Sequence, residues 1–111
     1  MTRRRRVDGE GGLALSSEEL HAPRERLTPE TIAIHQATVS LTEELEAMDW
    51  YRQRADDCDD PELKAILIHN MTDEMEHAAM LIEWLRRNVQ EWDVELRRFS
   101  KTKGSIAGAG D

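Results

Sequence analysis

The sequence predicts an all-α fold, an antiparallel two-helix hairpin with a short C-terminal helix that pairs with a second copy into a four-helix bundle. Three observations carry this. Two long stretches free of Gly and internal Pro open on the same kind of signal, Thr28-Pro29-Glu30 and Asp60-Pro61-Glu62. Each carries apolar residues at three- and four-residue steps, the period of a helix with one buried face. With 39% apolar and 5% aromatic residues in a chain of 111, one hairpin holds a modest core, so partner subunits are expected.

Residues 1–26 mix Arg, Gly, Ser and Glu without sustained periodicity and read as a disordered tail. The helical domain is expected over 27–99. At its start a hydroxyl cap precedes proline at the first helical position and an acid in the first turn, each of which satisfies or complements the free N–H groups there. The first helix runs to about residues 54–58, roughly 30 residues or about 45 Å. The run Asp56-Asp57-Cys58-Asp59-Asp60-Pro61 breaks it, and Asp60-Pro61-Glu62 opens a second helix that reaches about Asn88. A connection this short makes the two helices antiparallel neighbours. Val89 to Phe99 is expected to form the third helix, and 100–111 (SKTKGSIAGAGD) a flexible tail.

The expected stripe of the first helix is Ile34, Ala37, Leu41, Leu45, Met48, Tyr51 and Ala55. That of the second is Leu63, Ile66, Leu67, Asn70, Ala78, Leu81 and Leu85. Two helices cover only one face of each other, which is why at least a homodimer is expected.

The net charge of −8 is unevenly placed. Residues 1–26 carry six Arg against five acids, and residues 27–111 carry nine Lys and Arg against eighteen Asp and Glu. An acidic body disfavours nucleic acid and anionic lipid as partners and attracts cations. Cys58 is the single cysteine, which leaves no internal disulfide and no thiolate cluster for zinc, so the cytoplasm is the expected compartment. Arg3-Arg4-Arg5-Arg6 is not followed by the apolar run of an export signal. No stretch reaches the ~18 apolar residues of a membrane span.

Polar residues interrupt both stripes. Glu44 lies three beyond Leu41, Glu74 four beyond Asn70, and His77 three beyond Glu74, with Ala78 and Leu81 continuing the stripe. A buried carboxylate must be protonated, paired or bound to a metal. Residues three apart on a helix are neighbours, so Glu74 and His77 can grip one ion together. The spacing alone proves little, because Glu18 and His21 repeat it in the tail without an apolar stripe. Helix context and a matching acid on the neighbouring helix set Glu74 and His77 apart; an intrahelical ion pair on a solvated face is the plainer alternative.

Di-iron and di-manganese carboxylate bundles use a Glu from each of two helices and Glu-x-x-His from each of the other two. This chain supplies one of each, which is half a site. Two copies about a two-fold axis would supply four carboxylates and two imidazoles, with the metals at the subunit interface. Such ligands suit iron or manganese, and zinc or calcium can substitute.

Tyr51, one heptad beyond Glu44, either packs as an ordinary core aromatic or hydrogen-bonds a ligating carboxylate. Glu43, Glu46 and Asp49 share another face of the first helix, and His69, Asp73 and Glu76 another face of the second. These rows either gather cations or form a solvated surface. Trp50 and Trp84 read as packing anchors, and Met71, Met75 and Met80 as packing residues.

Three blocks in order, LTEELEAMDWY (41–51), DPELKAILIHN (60–70) and EMEHAAMLIEWLRR (74–87), resemble the encapsulated ferritins over roughly residues 28–99. The resemblance implies half a ferritin fold, a ferroxidase centre formed between two subunits, and dimers assembled into a ring, commonly a decamer. It matches Glu44, Glu74 and His77 to iron ligands and Tyr51 to a site-adjacent tyrosine. It matches Glu43 and Glu46 to carboxylates that admit metal, with Trp50 beside them, and His69, Asp73 and Glu76 to an outer metal-binding set. Asp73 is shorter than the Glu expected there. The resemblance also implies residence inside an encapsulin nanocompartment, loaded through a short C-terminal peptide of which Gly104-Ser105-Ile106 is at most a fragment. The Arg-rich tail lies outside the stretch that carries the resemblance.

The expected function is therefore that of an enzyme, a ferroxidase that oxidises Fe(II) to Fe(III) at a di-iron centre and feeds iron storage in an encapsulin shell. The alternatives are a helical adaptor that dimerises through an apolar seam, and a metal buffer without turnover.

Overall fold

A computed structural model gives the fold and describes residues 19–110. In chain order it contains a 3-10 turn at Arg24–Arg26, helix α1 (Pro29–Asp57), helix α2 (Pro61–Asn88), helix α3 (Gln90–Phe99) and a 3-10 turn at Ala107–Gly110. There is no strand among the described residues. Residues 1–18, most of the expected tail, lie outside them.

Both start signals work as their chemistry requires. Thr28 Oγ1 accepts from the Thr31 N–H at 3.1 Å, with Pro29 at the first helical position. Asp60 Oδ1 accepts from the Glu62 and Leu63 N–H groups at 2.9 and 3.2 Å. The break between them is three residues, Cys58 to Asp60, and α1 and α2 return antiparallel and pack along their length. Val89 alone separates α2 from α3. Its N–H closes α2 on the Leu85 carbonyl at 2.8 Å, and its own carbonyl accepts from the Trp92 N–H at 3.0 Å to start α3.

Charge holds that corner. Glu83 receives Arg86 Nε and Nη2, both at 2.8 Å, and Arg87 Nε at 2.7 Å. Arg86 Nη1 reaches across to Asp93 of α3 at 2.6 Å, and Arg97 Nε donates to the other Asp93 oxygen at 2.9 Å. The two arginines beside Glu83 hold its carboxyl down at about 2. Arg97 and Arg86 hold Asp93 below the usual carboxylate range.

The buried seam is made mostly of small residues. Ala37, Ala47, Tyr51 and Ala55 of α1 and Ala78 and Leu85 of α2 are buried, along with Val39. The expected stripes need correction at their edges: Leu45, Leu63 and Ile66 are exposed, and Ala47 and Val39 are buried without belonging to the stripe. A pair of helices covers only a narrow strip of each, and alanines fill that strip. The larger apolar side chains stand on its flanks, with Ile66 51% and Met80 59% accessible.

Candidate metal centre

Glu44, near the middle of α1, faces Glu74 and His77 of α2 across the seam. His77 Nδ1 lies 3.2 Å from Glu74 Oε1 and 3.4 Å from Glu44 Oε1. One ligand atom from each of the three falls within 4.8 Å of the others, and no other group of three such side chains does so among the described residues. Helix geometry explains the placement. Glu74 and His77 are one turn apart on α2, and the antiparallel register set by the short Asp-rich connection brings Glu44 level with them.

Glu74 is 8% accessible and is the charged residue buried in the seam among the described residues. Desolvation, and then the hydrogen bond and charge of Glu74, push the Glu44 carboxyl above its ordinary value; His77 counteracts only part of this. Desolvation pulls the His77 imidazole down, but its hydrogen bonds and charge interactions with Glu44 and Glu74 outweigh that and raise it. Two carboxylates are thus held together with a single half-exposed imidazole to offset them. A divalent cation relieves that repulsion, so the donor set fits one. Oxygen and imidazole donors without thiolate suit iron or manganese. The His77 side chain is 47% accessible, so the cluster opens sideways out of the hairpin.

The other residues singled out by sequence lie around this cluster and outside it. Tyr51 is buried one heptad along α1, and the Arg54 guanidinium carbon sits 5.5 Å from its ring centre. Sequence reasoning missed this cation–π contact. His69 Nε2 lies 3.4 Å from Asp73 Oδ2 on the exposed side of α2. Glu76 lines a surface hollow of about 410 Å³ with Ala79, Met80, Glu83, Trp84 and Arg87. Glu43 is half-buried, and Glu46 and Trp50 are exposed.

The family model described as "EncFtn-like" matches residues 19–103. An encapsulated ferritin-like protein of Rhodospirillum rubrum is 54% identical over 94 residues, which cover 85% of this chain and 67% of the relative. The chain belongs to the encapsulated ferritin-like family. A ferritin-like protein of Thermotoga maritima is 46% identical over 90 residues, covering 81% of this chain and 79% of that one. A crystal structure of a protein from Nitrosomonas europaea superposes with a TM-score of 0.76 at 50% identity, covering 79% of this chain and 97% of its own. Membership in the encapsulated ferritin-like family ties this chain to ferritin-like, iron-related function, and the Glu44–Glu74–His77 cluster is its candidate metal site. No helix among the described residues is long and apolar enough to cross a membrane.

Proposed function

We propose that the protein is a ferroxidase whose di-iron centre forms between two copies of the chain. The observation that carries this reading is the cluster itself: two carboxylates and one imidazole, half of the donor set that a di-iron bundle uses, open at the side of a hairpin. A second copy about a two-fold axis supplies the other half. Fe(II) is the substrate. Glu44 and Glu74 offer anionic oxygens and His77 a neutral nitrogen, and Tyr51 orients a ligating carboxylate through its hydroxyl. Because Coulomb attraction grows with charge, such oxygens stabilise Fe(III) more than Fe(II), and burial strengthens the difference. Two Fe(II) ions give up one electron each, and the pair reduces O₂ with two protons to H₂O₂, or H₂O₂ with two protons to water.

The acidic rows fit this reading as places where cations collect: Glu43 and Glu46 on α1, and His69, Asp73 and Glu76 on α2. Manganese, zinc or calcium would occupy the same donors as substitutes for iron. The Fe(III) product leaves for storage elsewhere, since a hairpin dimer, or a decameric ring built from such dimers, encloses no cavity of its own. An encapsulin shell in the cytoplasm is the proposed destination, consistent with the family to which the chain belongs. Stopped-flow absorbance after mixing the anaerobic protein and Fe(II) with O₂ tests the activity. The expected outcome is Fe(III) formation well above the buffer rate. Oxidation no faster than buffer, with intact dimers, would leave an adaptor or a metal buffer as the better description.

A further inference from the structure

This acidic protein turns basic beyond the middle of α3. From Arg97 to Gly110 the chain carries Arg97, Arg98, Lys101 and Lys103 and no Asp or Glu. Arg97, Ser100 and Lys101, together with Leu96 and with Arg86 of α2, line one open cleft of about 520 Å³ where α3 ends.

The donors in that cleft are not equally committed. Arg86 has its Nε and both terminal nitrogens engaged by Glu83 and Asp93, so it is spent on the corner. Arg97 engages Asp93 through Nε alone, which fixes its guanidinium and leaves both terminal nitrogens without a partner among the described residues. The Ser100 hydroxyl and the Lys101 ammonium have no partner there either. Lys101 also holds a φ of 62°, the left-handed conformation that normally ends a helix with glycine. A lysine at this position carries a conformational cost, and it lines the same cleft as Arg97.

We propose that this cleft binds a phosphate-class oxyanion through Arg97, Lys101 and the Ser100 hydroxyl. A guanidinium with two adjacent N–H groups matches two oxygens of a tetrahedral anion, and a neighbouring ammonium adds a point charge. The carbonyl end of α3 opposes an anion. That opposition is damped, because the Ser100 N–H donates to the Leu96 carbonyl and Thr102 Oγ1 donates to the Phe99 carbonyl. The site is separate from the metal cluster and does not depend on ferroxidase activity.

Calorimetric titration of the intact, metal-free protein with orthophosphate and, separately, with AMP tests the site. Saturable binding of either is expected; tighter orthophosphate binding assigns the free ion, and tighter AMP binding a phosphoryl group on a larger molecule. Arg97→Gln should weaken the affinity about tenfold, the effect of losing one charge-assisted hydrogen bond. Lys101→Gly separates ligand binding from folding, because glycine relieves the left-handed strain. It should raise Tm and still weaken the affinity by about tenfold. No saturable binding, affinities unchanged in both variants, or a signal matched by chloride at equal ionic strength would overturn the proposal.

Discussion

Glu44 and Glu74 face each other across the seam, and the metal-free fold bears the repulsion that raises the Glu44 carboxyl. Removing one negative charge should therefore help the fold while it harms the site. Glu44→Gln is nearly isosteric, and the metal-free variant should melt at the same temperature as the parent protein or higher. Its Fe(II) oxidation should fall by at least about tenfold, the low end of what losing even an outer partner of a metal site costs. Thermal melts of the metal-free protein alongside stopped-flow oxidation check both halves. A variant that loses stability in proportion to activity would make Glu44 a structural residue. This is also the scale at which sequence said most about the site: Glu44, Glu74 and His77 were legible because each breaks an apolar stripe at helical spacing. Arg54 over the Tyr51 ring, and the fixing of Arg97 by Asp93, were not legible, since charged residues on a helix surface carry no periodic signal of their own.

At the scale of elements, caps and charge decide where helices stop and how they turn. Asp60 satisfies two N–H groups at the start of α2, so Asp60→Ala should cost about 1 kcal/mol and lower Tm by several degrees. Calorimetric unfolding checks this, and an unchanged Tm would mean that proline and Glu62 suffice to start the helix. The corner between α2 and α3 makes a prediction in pH. The Glu83 carboxyl titrates at about 2 in the fold against an ordinary 4.5, so the folded state binds its proton less readily than the unfolded chain. Its contribution is fully present above pH 4.5 and disappears as pH falls towards 2. The stability gap between the parent protein and Glu83→Gln, measured by denaturant unfolding across that range, should close on acidification. A gap independent of pH would show that the arginines stabilise the corner without needing the charge of Glu83. The helix limits were legible because Thr28-Pro29 and Asp60-Pro61 each place a hydrogen-bonding cap before a residue with no N–H to lose. The α2–α3 joint was placed to within a residue, at Val89, but its ion-pair latch depends on an interhelix angle that no local pattern encodes.

For the whole molecule the question is what covers the flanks of the hairpin. The expected stripes failed at Leu45, Leu63 and Ile66 because one chain buries only a strip of alanines, and periodicity cannot tell a residue facing its own partner helix from one facing another subunit. Ile66, His77 and Trp84 are separated by eleven and seven residues, three and two turns of α2, so they share one flank. Apolar side chains on either side of an open half-site are what a second copy would cover. If so, Ile66→Glu with Trp84→Glu should dissociate the dimer while leaving all three candidate ligands of each chain in place. Sedimentation velocity should then report a monomer of about the chain mass of 12.8 kDa, and Fe(II) oxidation should drop to the level of Glu44→Gln. Circular dichroism matching the parent protein excludes unfolding as the cause. A folded monomer that oxidises Fe(II) at the parent rate would mean that one hairpin holds a complete centre, and the partner would lose its place in the chemistry.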